Sequence, residues 1–201
     1  MNFNIAQAVL DVLIFWILTT PHEFAHAWVA DRLGDDTPRL EGRVTLNPLA
    51  HVDWIGTVIL PLITLTVGGA FLGWGKAVNT NPARLKGGYN GLVAVALAGP
   101  GSNVIFALVL GVLSSFIPAA ADILFRAAYL SIYLAIFNMI PIPPLDGSKF
   151  LLAARIPEQW YIEISRFGFI ALLLMMSYTG LGRWMSNFSF TGALALFSIG
   201  K

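Results

Sequence analysis

His22, Glu23 and His26 lie in the stretch "TTPHEFAHAWVADRLG", residues 19–34, in the order H-E-x-x-H. Residues four apart on an α-helix share a face, so the two imidazoles can be presented to one ion. Glu23, one position along, points to the side of that ion, where a carboxylate can take a proton from a metal-bound water. This is the chemistry of zinc hydrolysis: Zn2+ brings the pKa of its water to about 7, and the glutamate acts as base while hydroxide attacks a carbonyl. The bland alternative is a set of stray polar groups at a helix end. It is expensive, because an ionisable group inside a membrane span costs ~2.5–3.5 kcal/mol.

A catalytic zinc usually takes three protein ligands and keeps one position open. The chain has no cysteine, so a third donor must come from His, Asp or Glu. His51 is the only other histidine, and the carboxylates available include Asp11, Asp53 and Asp146. Asp11 falls on nearly the same helical face as His22 but ~16 Å along the axis, too far to share an ion. Asp146 directly follows the break made by Pro141, Pro143 and Pro144 at the end of an apolar span, and its setting is the better match. His51 is the reserve. With Asp53 it forms "HVD", which could line a water path, gate access or anchor an interface.

The elements that must hold these groups are membrane-embedded. Of 201 residues, 57% are hydrophobic and 11% charged, and the mean hydropathy is +0.73. These values lie far outside those of ordinary soluble domains. A formal charge of +1 argues against nucleic acid as a partner. Apolar runs of about the 20 residues that cross a bilayer occur near 3–20, 89–117, 121–142 and 160–180. Segments 54–73 and 184–200 are ambiguous. No cleavable signal precedes the first run, so that span is expected to be retained. Between the first and second spans, "GRVTL" alternates like a short strand, and "GWGKAV" reads as its partner. Gly99, Pro100 and Gly101 in "LAGPGSN" are expected to bend or thin their helix and to allow close contact. The fold expected is an all-α polytopic membrane protein. It has about five to six transmembrane or re-entrant helical segments and a small strand-like hairpin on the cytoplasmic side, and residues 1–201 form a single domain.

With these motifs in view, the chain resembles the site-2 protease family of intramembrane zinc metalloproteases. The resemblance rests on "HEFAH" at 22–26, "AGPGSN" at 98–103 and "NMIPIPPLDG" at 138–147, which together span most of residues 20–155. It implies His22, His26 and Asp146 as ligands of one zinc ion per chain and Glu23 as catalytic base. It also suggests Asn103 and Asn138 as substrate or transition-state contacts, with interhelical hydrogen bonding as their competing role. Substrates would be membrane proteins with a helical transmembrane segment, in the bilayer. The chain carries neither the PDZ nor the CBS domain of many family members and is similar to the minimal core branch, which leaves room for a separate adaptor protein.

Ligand convergence constrains topology. If 54–73 crossed the membrane, Asp146 would finish on the face opposite His22 and His26. If it dips in and returns, turning at Pro61 or at Gly68 and Gly69, the ligands reach one depth. Charge points the same way: Arg32, Arg39, Arg43, Lys76, Arg84, Lys86, Lys149, Arg155 and Arg166 fall on the side of the histidines, and Arg126 and Arg183 on the other. By the positive-inside rule the site faces the cytoplasm, most simply of the cell membrane, and the N-terminus lies outside. Two other readings are a metal-carrying transporter and a noncatalytic membrane scaffold. A carrier needs no base beside its ligands, and no inverted repeat is visible. A scaffold has no reason to keep Glu23.

Overall fold

The computed structural model describes residues 5–66 and 72–198. Six helices organise them. Helix α1 is Ile5–Arg32, α2 is the short Trp54–Thr66, α3 is Tyr89–Phe116, α4 is Ala121–Asn138, α5 is Glu158–Tyr178 and α6 is Leu181–Ser198. Four stretches are long and apolar enough to cross a membrane: Ile5–Arg32, Tyr89–Phe116, Pro118–Asn138 and Gln159–Tyr178. At 1.5 Å per residue, the 28-residue α1 and α3 extend about 42 Å, beyond the ~30 Å of a bilayer's hydrocarbon. Both run unbroken through an internal proline, Pro21 and Pro100 respectively.

Helices α1, α3 and α4 form the interior. Ala30 packs with Leu92 and Val95 near one end of the α1–α3 pair. Ile14, Phe15 and Leu18 meet Leu130 and Leu134 of α4 further down. With no hydrophobic drive between helices in lipid, close packing relies on small residues. Ala107, Ala128 and Ala193 meet in one buried cluster. A Cβ on Gly111 would stand 3.0 Å from Leu196 of α6. Helix α5 is the most peripheral of the four candidate spans and touches the proline break directly: a Cβ on Gly168 would overlap the Pro143 carbonyl.

Helix α2 is the element whose course was open. Its 13 residues reach only about 20 Å. Trp74 N–H then donates to Gly56 O at 3.0 Å, Thr57 Oγ1 donates to Trp74 O at 2.9 Å, and Lys76 N–H donates to His51 O at 2.9 Å. The chain therefore comes back to the end at which α2 begins. This is the dip-and-return course; Gly68 and Gly69, named as a turning point, lie outside the described residues.

The expected strand hairpin is corrected. Among the described residues there is no strand, and 42–46 curl instead of extending: Gly42 has φ 68° and Thr45 N–H bonds back to Arg43 O at 2.9 Å. Residues 73–78 form no ladder with them. The two stretches are joined by one side chain, Arg43, which donates to Ala50 O and Lys76 O. Five alternating residues were too weak a pattern to outcompete a local turn.

Asp35 ties the same region to α1, accepting from Thr37 Oγ1 at 2.6 Å and from Asn81 N–H at 2.6 Å, while Asn79 Nδ2 reaches Glu41 at 3.0 Å. Single cysteines in Glu41→Cys and Asn79→Cys, both at exposed positions, are thus expected to react with an impermeant maleimide from the same membrane face. Labelling from opposite faces would show that the segment between them crosses.

Candidate metal centre

One turn of α1 places His22 and His26 side by side, both buried, with ring centroids 4.7 Å apart. The break after α4 supplies the third group. Pro141, Pro143 and Pro144 cannot continue a helix, and the chain turns through Asp146–Ser148. Gly147 is needed at this turn because a Cβ there would lie 2.2 Å from Met139 O. Asp146 Oδ2 then stands 3.2 Å from His22 Nε2 and 3.1 Å from His26 Nε2, and the two Nε2 atoms are 3.1 Å apart.

Two imidazole nitrogens and a carboxylate oxygen packed so closely need a cation or shared protons between them. The set fits zinc. A tetrahedral ion with bonds of about 2.0–2.1 Å separates its ligands by about 3.3 Å, near the observed edges. His26 Nδ1 sits 2.7 Å from Val95 O and is placed to donate to it, which leaves the Nε2 lone pair directed at the centre. Burial opposes ionisation of Asp146, but the two imidazoles prevail and hold its carboxyl well below the usual range. Space is kept clear by Gly99 of α3: a Cβ there would fall 2.3 Å from His26 Nε2 and 2.6 Å from His22 Nε2.

Glu23 and the three converging residues line a cavity of about 490 Å³. Its wall includes residues 73–78, and its polar lining includes Asp53, Lys76, Asn138 and Lys149. Glu23 is buried and packs against the backbone of this wall, since a Cβ on Gly75 would come within 3.0 Å of Glu23 Oε1.

The remaining sequence candidates separate. Asn138 lines the cavity and donates through Nδ2 to Leu134 O at 3.0 Å. Asp53 also lines it, and caps α2 by accepting from Ile55 and Gly56 N–H. Asn103 is fully buried one turn beyond Gly99 and does not line the cavity; neither atom of its carboxamide has a hydrogen-bond partner, while its backbone oxygen accepts from Ser131 Oγ. His51 is fully buried away from the three donors, with Nε2 2.7 Å from Thr45 O. Burial, opposed by the Thr45 carbonyl and aided by the Arg43 charge, pulls its imidazole below the ordinary value. Asp11 pairs instead with Arg126 at 3.1 Å. Two residues take roles at the site that the sequence reading did not assign: Gly99, expected to allow close helix contact, gives clearance for the imidazoles, and Arg43, counted there only for its charge, braces the cavity wall. No sequence signal marked the second, because its burial and its two carbonyl partners appear only in the fold.

The "Putative zinc metalloprotease YwhC" of Bacillus subtilis is 31% identical over 206 residues, an alignment that covers 93% of this chain and 90% of that protein. The chain belongs to peptidase family M50, the site-2 proteases. The family's own sequence model, described as "Peptidase family M50", matches residues 119–176, which include the proline break and Asp146. The "Putative zinc metalloprotease Rip2" of Mycolicibacterium smegmatis is 30% identical over 184 residues, covering 86% of this chain and 69% of its own. Its namesake in Mycobacterium tuberculosis H37Rv is 29% identical over 194 residues, covering 89% and 71%. No solved structure matches the chain. M50 membership implies zinc, the metal that the donor set fits.

Gly99→Ala tests the clearance. The added methyl is expected to lower zinc affinity more than about tenfold in a chelator competition, with the helical fold retained by circular dichroism. Parent affinity in that variant would mean that the metal does not lie between the imidazoles and α3.

Proposed function

We propose that the protein is an intramembrane zinc endopeptidase that hydrolyses peptide bonds in or near the transmembrane segments of membrane-protein substrates. The observation that carries this reading is the triangle of His22 Nε2, His26 Nε2 and Asp146 Oδ2, with edges of 3.1–3.2 Å, in the wall of a cavity that Glu23 also lines. A transport site has no use for a carboxylate held beside the donor set, and a scaffold has no use for the cleared space at Gly99.

His22, His26 and Asp146 hold one zinc ion per chain. When bound, it supplies Lewis acidity and lowers the pKa of its water to about 7. Glu23 accepts the water's proton at its carboxylate and returns it to the leaving amine. Packing against Gly75 limits the carboxylate's rotamers beside the cavity that it lines. Asn138, in the cavity lining, contacts substrate backbone or the developing oxyanion on this reading.

A peptide bond in a helix has its carbonyl already paired, so the substrate must unwind. Residues 73–78 support a way of stabilising it. Trp74 and Lys76 turn their backbone groups to the loop at Gly56 and His51. All of residues 73–78 line the cavity, and among the described residues neither Gly75 nor Ala77 makes a backbone bond to the loop. An unwound substrate segment pairs along that edge as its helical bonds are lost. Lys76, Asp53 and Lys149 give water a polar entrance. The basic residues of this end support an entrance at the cytoplasmic face of the cell membrane.

The test is Glu23→Gln in reconstituted protein, with a helical membrane substrate. Metal analysis is expected to find one zinc per chain in parent and variant alike, while cleavage falls by about 10²–10⁴-fold. Cleavage at the parent rate would remove Glu23 as the base, and a metal-free parent that still cleaves would remove the zinc mechanism.

A further inference from the structure

Arg43 is the one lysine or arginine with a buried side chain among the described residues. Its guanidinium forks between two segments far apart in sequence, Nη1 donating to Ala50 O and Nη2 to Lys76 O, while Nε has no partner. The bond from Lys76 N–H to His51 O, at 2.9 Å, closes the same knot. Both backbone groups of Lys76 are thereby fixed, and the neighbouring residue has little freedom left. That neighbour is Gly75, whose Cβ position lies 3.0 Å from Glu23 Oε1, 3.3 Å from Glu23 Cγ and 3.4 Å from His51 O. Arg43 and Glu23 are also within electrostatic reach of one another, without a direct ion pair.

We propose that Arg43 is a positioning residue for the reaction: through the backbone of residues 75–76 it holds the substrate-pairing edge in register with Glu23 and the metal ligands. The proposal rests on the protease reading above. The planar fork explains the residue type, because two carbonyls on separate segments must be met at once and a lysine offers only a single charged point. It also explains the burial. An unpaired Nε is tolerated where the other two nitrogens hold the wall against the cavity.

Arg43→Lys and Arg43→Gln, with Glu23→Gln as control, separate positioning from mere bracing. In detergent-solubilised, zinc-loaded protein, the expected result is zinc affinity within about threefold of the parent. On a helical membrane substrate, kcat/KM is expected to fall about 100-fold, shared between a raised KM and a lowered kcat, the scale of a misplacement of about 1 Å. Parent kcat and KM in both variants would overturn the proposal, and so would activity lost only in proportion to folded, zinc-binding protein. Gly75→Ala is the second variant, since it crowds Glu23 while leaving the Arg43 bonds in place. It should show the same kinetic signature with zinc retained, and parent kinetics there would equally overturn the role. Failure of the protease reading looks different: the zinc-loaded parent itself would leave the substrate uncut.

Discussion

Three donor atoms within 3.2 Å of one another, two from α1 and one from a turn 120 residues later, set the conditions that the rest of the chain meets. Unprotonated, their lone pairs repel at this distance unless a cation or a shared proton lies between them, and burial amplifies the effect. The architecture has to bring them together whichever of the two fills the space. Helix α3 does this by running against α1 with Gly99 opposite the imidazoles and Val95 O beside His26 Nδ1. Helix α4 delivers Asp146 by stopping short, and α5 presses on the resulting turn through Gly168 and Pro143.

The dip of α2 follows from the same requirement. A crossing at this point would have reversed every later helix and placed the Asp146 turn at the wrong face. A 13-residue helix that returns keeps the parity and supplies a wall for the cavity as well. Its return also explains the glycines at the crossing. A Cβ on Gly56 would overlap the Trp74 ring, and one on Gly73 would lie 2.8 Å from both Gly56 O and Pro61 Cγ. The returning chain can pass between α1 and α2 only where those side chains are missing.

Much of this could be read from the residues. The spans followed from apolar runs of sufficient length, the helical pairing of His22 with His26 from their spacing, and the return of 54–73 from the parity of the ligands. Other features were hidden because they depend on contacts between distant segments. The glycine in "AGPGSN" was legible as a place for a bend or a close contact; α3 is unbroken there, and the close contact turns out to be with the imidazoles of His22 and His26. Arg43 looked like one more basic residue of a cytoplasmic loop, and only the fold shows the two carbonyls it joins. "GRVTL" misled for the opposite reason: its alternation is local, but the turn at Gly42 and the bond from Thr45 to Arg43 are more local still.

Non-helical backbone at membrane depth is tolerated only where protein or water receives its polar groups. Residues 73–78 meet that condition on one edge alone, through Gly56, His51 and the Arg43 side chain. The same residues line the cavity, beside Glu23 and the three donor groups. On the proposed protease reading, a wall of this kind exchanges water for an unwound substrate segment, which replaces the lost intrahelical bonds at the point where those groups converge.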